Sequence, residues 1–380
     1  MKVVVLGAGR VGGAIAIDLA KDAEFEVRVA DRDPRLLECL QARHGIAGDR
    51  VDFSVEGATA RAVAKADLVV SAVPGFLGYR TLQTVIEARK RVVDIAFFPE
   101  DPFTLNDLAR ANGVTALVDC GVAPGMSNLL IGRESARLDR TTRVRIYVGG
   151  LPTVRVLPYE YKAGFSPIDV IEEYTRPSRV VEAGELRVKP ALSDVEFIEV
   201  EGIGTLEAFV TDGLRTLLET IPCSDMAEKT LRYPGHAERM RLLRDSGFLD
   251  AKPIDVNGAS VRPVDVAAAL LFPLWEMKDG DEDITVMRIV VDGEVGGRAV
   301  RIAYTLADRF DRPTATSSMA RTTGYTAAMA VRMLAKGLFR EAGVVPPESV
   351  GRNEDCVRFL LAGLAERGIV YHRTEAPSGS

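Results

Sequence analysis

The sequence predicts an α/β protein: a doubly wound parallel sheet, followed by an α+β domain whose sheet is mostly antiparallel. Three features carry this. The first 120 residues alternate short, strand-like apolar runs with helix-spaced segments. A glycine-rich turn joins the first strand to the first helix. From about residue 140 onward, longer alternating strands with hairpin signals take over.

In order along the chain, residues 3–6 form a continuous β-branched and Leu run, as expected of a strand buried on both faces, and 14–20 continue with helical spacing. Further strands are expected at 26–30, 67–72, 91–95 and 115–118, with helical stretches between them at 82–88 and 105–111. DCGVAPGMSNLL, with a helix from Met126, marks the exit from this first domain. RVRIYVGG, FIEVEG, GTLEAFVT, ITVMRIVVDG and RAVRIAYTL then read as strands, GEVGGR joining the last two as a hairpin. From Ser317 a helix returns, with Met319, Thr323, Ala327, Ala330 and Leu334 at helical spacing. The expected division is a dinucleotide-binding domain at 1–122, with the helical segment 316–380 packing back on it, and a substrate-binding and dimerisation domain at 123–315. Only the final EAPSGS reads as frayed.

Bulk properties narrow the function. At 380 residues the chain suits two domains, and 47% hydrophobic with 27% charged residues is ordinary globular composition. A net charge of −6 offers no footprint for nucleic acid or an anionic membrane. Four scattered cysteines without a CxxC pair imply neither a zinc site nor a disulfide framework, and fit a reducing cytoplasm. Gly7, Gly9 and Arg10 interrupt the N-terminal apolar run, so no signal peptide is read. The run 264–275 contains Asp265 and Pro273 and is too short for a bilayer.

VVVLGAGRVGG places Gly7, Gly9 and Gly12 in G-x-G-x-x-G register between strand and helix, the signature of a Rossmann-type fold. Gly7 permits the tight turn, Gly9 lets the backbone approach a pyrophosphate, and Gly12 lets helix and strand pack closely. Arg10 and Val11 sit in the same turn, where free helix N–H groups meet phosphates. Asp31, 19 residues after Gly12, suits the adenosine ribose hydroxyls and opposes a 2′-phosphate, which favours NAD over NADP. Arg32 beside it offers the contrary possibility of pairing with that phosphate. Ala72, Val73 and Pro74 end the fourth strand where the nicotinamide ribose is expected. Asp94, Asp119 and Gly121 lie near later strand ends, and either aspartate also suits a helix cap.

VDCGVAPGMSNLLIG, IYVGGLP, EYKAGFSPIDVIEEYTRP, KTLRYPGHAERM and MARTTGYTAAMAV resemble the saccharopine dehydrogenase superfamily over nearly the whole chain, most closely its lysine 6-dehydrogenase branch. The resemblance implies a nicotinamide-linked oxidoreductase acting on a C–N bond of an amino acid or polyamine, and a substrate domain that forms a homodimer. Oxidation of the ε-amine of L-lysine is the leading expectation; saccharopine- or carboxynorspermidine-type reductases, which condense an aldehyde with an amine, are the alternative. A non-catalytic NAD-binding sensor is the alternative of another class. DIAFFPED departs from the Gly/His-rich segment of the lysine enzymes, and Phe97 and Phe98 would make a pocket there more apolar.

Amine oxidation needs a proton acceptor, an anchor for the amino acid's charged end and a dry pocket, and no metal. His236 in LRYPGHAERM is the candidate proton-handling or orienting group, with an ordinary pKa near neutrality. Arg232, four residues earlier, is the candidate carboxylate anchor. Read alone, the same segment is a polar surface turn. In PYEYKAGFS, Tyr161 is a candidate catalytic or binding phenol, Lys162 a carboxylate partner and Glu160 an ammonium partner. If this stretch is a strand, Tyr159 and Tyr161 share one face and Glu160 and Lys162 the other. Thr323 is placed at the substrate or cofactor cleft. His44 and His372 read as bland.

Overall fold

The computed structural model describes residues 1–377 apart from Phe165 and Asp279. It divides into two compact units, Met1–Arg137 with Ala320–Val370, and Leu138–Met319 with the chain from Tyr371 onward.

The first unit runs β1 (Lys2–Leu6), α1 (Arg10–Leu19), β2 (Glu26–Asp31), α2 (Pro34–His44), β3 (Ala47–Arg50), α3 (Ala58–Val63), β4 (Leu68–Ser71), α4 (Gly75–Glu87), β5 (Arg91–Asp94), α5 (Asn106–Ala111), β6 (Thr115–Leu117) and α6 (Met126–Arg137). Its parallel sheet has the order β3-β2-β1-β4-β5-β6, and Gly343–Val345 adds a seventh strand beside β6. This is the doubly wound arrangement, and the order reverses between β1 and β4. β4 is buried throughout and β1 from its second residue, which is why both read as unbroken apolar runs. Local signals set the helices: Asp33 caps α2 through the Arg35 N–H, Pro34 opens it, and Gly45 closes it at φ 68°.

The later segment joins this unit through charge and close packing. Buried Asp18 on α1 receives Arg332 at 2.6 Å and Arg367 at 3.0 Å, and Arg332 also reaches Asp22. A side chain at Gly324 would meet the Val11 carbonyl oxygen and the Ile15 side chain at 3.2 Å, so the helix Ser318–Ala335 lies tightly against α1. The change of unit falls at Arg137, not at residue 122, because α6 packs on the helix Pro347–Gly351, where Gly132 and the Glu348 backbone leave no room for a Cβ. Phe98 is a core residue of this unit, fully buried and edge-on to Tyr79, so it adds nothing to a pocket lining.

The second unit continues with β7 (Arg140–Pro152), α7 (Pro167–Thr175), β8 (Ser178–Glu182), β9 (Glu185–Lys189), β10 (Glu196–Val200), β11 (Gly204–Val210), α8 (Leu217–Thr220), β12 (Asp225–Arg232), α9 (His236–Asp245), β13 (Ile254–Val256), β14 (Ala259–Val261), α10 (Pro263–Trp275), β15 (Asp283–Val295) and β16 (Arg298–Arg309). The main sheet runs β10-β11-β12-β7-β15-β16, with only β12 and β7 parallel among these pairs. Gly296 and Gly297, both at positive φ, turn the β15–β16 hairpin as GEVGGR predicts. His372–Pro377 forms a last strand on β16, so Glu375–Pro377 are paired, not frayed; the final three residues of EAPSGS lie outside the described residues. Tyr161, Tyr174, Phe209, Ala237, Met240 and Trp275 form the core between this sheet, α7, α9 and α10. Among the described residues no helix is long and apolar enough to cross a membrane.

Candidate active site

In the first unit, the C-terminal ends of β1, β2 and β4 form a candidate cofactor site. Gly7 adopts φ +106°, and a Cβ there would lie 2.5 Å from the Ala72 carbonyl oxygen. A Cβ on Gly12 would fall 2.1 Å from the Gly7 carbonyl oxygen and 3.4 Å from the Ala72 Cβ. Gly7, Gly12 and Ala72 are thus packed to backbone contact. Gly9 is different: a Cβ there would meet nothing within 4 Å, and Gly9 caps α1 without a side-chain hydrogen bond. The space beside Gly9 at the start of α1 is therefore open, which lets a pyrophosphate approach the backbone of the helix N-terminus. Asp31 ends β2 with one oxygen accepting the Ala8 N–H at 2.7 Å and the other the Asp33 N–H at 2.8 Å. That fixes the carboxylate beside the glycine turn, while Arg10 and Arg32 are exposed.

The remaining residues expected here are distributed around the same sheet. Val73 is buried and Pro74 precedes α4 as its cap residue. Asp94 is fully buried at the end of β5, and its carbonyl accepts the Cys120 N–H. Gly121 donates to the Pro124 carbonyl in the turn before α6, and the Thr323 methyl lies 3.4 Å from where a Gly121 Cβ would be. Thr323 thus belongs to the first unit, beside the residues assigned to the cofactor.

In the second unit, LRYPGHAERM is more than a turn, and every residue of it except Glu238 is at least partly buried. β12 alternates, so Glu228, Thr230 and Arg232 share one face, and all three are buried. Gly235, at φ 87°, makes the reversal that starts α9 at His236. The His236 imidazole is 1% exposed. Its Nδ1 lies 3.1 Å from the Tyr159 carbonyl, which only accepts, so Nδ1 carries the proton and Nε2 accepts the Tyr174 O–H at 2.9 Å. Burial first, then the Arg232 charge, hold the His236 pKa down to about 3. The ring is neutral at physiological pH, with both nitrogens engaged.

Arg232 lies over the Tyr161 ring, 4.6 Å from its centroid. Tyr161 is flanked by His236 at 5.4 Å and by Trp275 at 5.6 Å, and Tyr174 contacts the same two rings. The guanidinium donates from Nη1 to the Leu231 carbonyl and from Nη2 to Glu173 at 2.6 Å. Its Nε–H is buried with no hydrogen-bond partner, as is the Trp275 indole N–H. An unsatisfied buried donor costs about 1–3 kcal/mol. Glu207, opposite Arg232 across the β11–β12 pair, accepts the Ala237 N–H at the start of α9, so Glu173 is the carboxylate that bonds the guanidinium. Burial pushes the Tyr161 phenol well above its ordinary value and the Tyr174 phenol up to about 12, so both remain protonated.

Residues 158–162 do not form a strand. Residues 157–159 form a turn and Glu160 takes φ 50°, which breaks the two-face alternation. Glu160 lies between Arg155 at 2.8 Å and Arg239 at 3.2 Å, and the Arg155 hydrogen bond lowers its pKa. Lys162 donates to the Glu276 carbonyl at 2.9 Å and lies 3.6 Å from Asp281. Both charges already have partners within the second unit.

Glu173, Tyr174, Trp275 and Glu228 complete the cluster, and sequence reading passed over all four. EEY, with helical spacing and two acids before a buried ring, was the available signal for α7. Glu228 accepts from Thr211 Oγ1 at 2.7 Å and from the Gly213 N–H at 2.9 Å. Burial, with Glu173 adding repulsion, raises its pKa to about 7. Below its unfolded pKa, about 4.3, this group is protonated in both states and its contribution to stability is complete. As pH rises toward 7 the unfolded chain gives up the proton first, and roughly 3–4 kcal/mol is lost, at about 1.4 kcal/mol per unit. Glu228→Gln is therefore expected to be more stable than the native chain at alkaline pH by about 2–3 kcal/mol, the gap closing near pH 5. Denaturant melts across that range check this; a gap independent of pH contradicts it.

The glycine turn, the strand order and the fixed carboxylate at the end of β2 define a protein built to bind a nicotinamide dinucleotide. A family model described as the saccharopine dehydrogenase NADP binding domain matches residues 3–117, and one described as the saccharopine dehydrogenase C-terminal domain matches 121–369. The chain belongs to the saccharopine dehydrogenase family. It is 22% identical over 430 residues to the saccharopine dehydrogenase [NADP(+), L-glutamate-forming] of Saccharomyces cerevisiae, covering 94% of this chain and 96% of the relative. The solved apo structure of saccharopine dehydrogenase (L-Glu forming) from Saccharomyces cerevisiae superposes with a TM-score of 0.80 at 19% identity, over 99% of both chains. The alpha-aminoadipic semialdehyde synthase of Bos taurus is 23% identical over 454 residues, 97% of this chain but 47% of the relative. The chain thus spans less than half the length of the first relatives it matches.

Proposed function

We propose that this protein is an NAD(P)-dependent oxidoreductase that oxidises, or in reverse forms, the C–N bond of an amino acid, in a reaction of the saccharopine type. The observation that carries the reading is Arg232: a buried guanidinium with its Nε–H unpartnered, set over an aromatic floor. A carboxylate taking the Nε–Nη2 edge would satisfy that donor in the bidentate geometry guanidinium favours.

When bound, the nicotinamide supplies the hydride acceptor. Gly7, Gly9, Arg10, Val11 and Gly12 would hold its pyrophosphate, Asp31 its adenosine ribose, and Ala72, Val73, Pro74, Asp94 and Gly121 the end near the strand termini. Asp31 favours NAD, since it would repel a 2′-phosphate; Arg32 and the NADP in the yeast relative's name are the reasons to test both. Arg232 anchors the substrate carboxylate, and Tyr161 supports the guanidinium. His236, neutral and doubly bonded, orients Tyr174 and is not the base. Thr323 stays with the cofactor side, and Glu160 and Lys162 brace the loop.

A second reading, oxidation of the lysine ε-amine, is favoured by the burial of Phe98, which removes half of the apolar obstacle in DIAFFPED. The deciding experiment follows the reduced-nicotinamide absorbance with NAD or NADP and either L-saccharopine or L-lysine, and measures glutamate release. Turnover of saccharopine with glutamate formed supports the first reading, and turnover of lysine alone supports the second. Tight dinucleotide binding with no turnover of any amine leaves a sensor. For the active substrate, His236→Asn is expected to lose about tenfold or less in kcat with an unchanged pH–rate profile, whereas loss of a general base costs roughly 10²–10⁴.

A further inference from the structure

We propose that Glu173 and Arg232 together form a clamp for the zwitterionic end of an α-amino acid, in which Glu173 occupies the carboxylate's place until substrate arrives and then takes the α-ammonium. The inference rests on the reading of Arg232 as the substrate's carboxylate anchor.

Three observations converge on it. The Glu173 contact is one-toothed, through Nη2 only, while the adjoining Nε–H on the same edge of the guanidinium is buried and unpartnered. The pair therefore fills half of a bidentate seat. Next, the two members differ in exposure: the Arg232 side chain is 3% exposed and that of Glu173 20%, so the carboxylate is the member that faces solvent and can be exchanged. Finally, the alternatives are already taken. Nη1 is committed to the Leu231 carbonyl, Glu207 to the Ala237 N–H, and Glu160 to two arginines. An incoming carboxylate that takes Nε and Nη2 releases Glu173 next to the substrate's α-carbon, and a free carboxylate there has one natural partner, the ammonium on that carbon. A substrate with a carboxylate but no α-ammonium would gain the seat and leave Glu173 uncompensated.

Trp275, the single tryptophan of the chain, lies against Tyr161 and Tyr174 and reports on this cluster by its fluorescence. The test titrates the full chain, saturated with oxidised dinucleotide, with L-lysine and with 6-aminohexanoate, which lacks only the α-ammonium; calorimetry gives the same affinities independently. The native chain is expected to prefer L-lysine by about tenfold or more, a charge-assisted contact's effect. Glu173→Gln should shrink that preference to about twofold by tightening 6-aminohexanoate and weakening L-lysine, and Glu173→Asp, which keeps the charge, should restore part of it. Arg232→Met should weaken both probes by about 100-fold. An unchanged preference in Glu173→Gln, with both probes still dependent on Arg232, overturns the clamp alone. Indifference of both probes to Arg232→Met overturns the anchor beneath it, and failure of the native chain to prefer L-lysine overturns the clamp as well. Thermal melts of each variant separate these outcomes from misfolding.

Discussion

Gly12→Ala is expected to abolish useful dinucleotide binding, lowering affinity by about 100-fold or more, and to destabilise the chain by about 1–3 kcal/mol. The new methyl would lie 2.1 Å from the Gly7 carbonyl oxygen and 3.0 Å from its carbon. Both are backbone atoms of a turn that is itself wedged against the Ala72 carbonyl, so neither can rotate away. The start of α1 must retreat from the turn, and the N–H groups that would meet the pyrophosphate retreat with it. Gly9→Ala is the informative partner variant. Its methyl enters open space, so its melting temperature should match the native value while its affinity still falls. Calorimetric titration with NAD and NADP, alongside thermal melts, checks both. Native affinity in Gly12→Ala, or a destabilised Gly9→Ala, contradicts this account of the turn.

Arg232→Met is expected to lower kcat/KM for a carboxylate-bearing substrate by about 10²–10³, most of it through KM. Methionine fills the space over the Tyr161 ring but carries no donors, so the substrate loses two charge-assisted hydrogen bonds, each worth about 1.5–3 kcal/mol. The same change leaves the partly buried Glu173 without its cation, so a loss of stability accompanies the loss of activity. Arg232→Lys should recover stability better than it recovers KM, because an ammonium offers one point contact where the planar fork offers two. Initial rates with a carboxylate substrate and with a simple amine lacking that group separate the effects. An equal loss for both substrates means that Arg232 holds the fold and not the ligand.

The legibility of this architecture follows burial on each strand. β1 and β4 lie inside a two-faced sheet, so Val3 to Val5 and Val69 to Val70 read as strand without ambiguity. β3, with the sequence AGDR on an exposed edge, and the three residues of Gly343–Val345 carry too little pattern to find. β12 fails for a deeper reason. From Met226 to Arg232 both of its faces are buried, yet Glu228, Thr230 and Arg232 on one face and Lys229 on the other are residues that hydropathy assigns to the surface, so no apolar run marks the strand. The same substitution of paired charge for apolar contact hid Glu173 on α7. Trp275 closes the apolar run 264–275, whose pattern carries no sign that its last ring enters a polar cluster. Tyr159 to Lys162 misled in the opposite direction, since its alternation is real in sequence and cancelled by the positive φ of Glu160. Arg232, His236 and Tyr161 stand out in the sequence for their anion-binding and proton-handling chemistry, and the structure brings all three into one aromatic cluster.

The seventh strand of the parallel sheet, Gly343–Val345, comes from the far end of the chain, as does the edge strand His372–Pro377 of the other sheet. Neither sheet is therefore complete when its own stretch of polypeptide leaves the ribosome. The dinucleotide unit waits for some 180 intervening residues before Arg332 and Arg367 reach Asp18, and the second unit waits for His372–Pro377. A nascent chain arrested before residue 320 would hold the glycine turn without the helices that brace it.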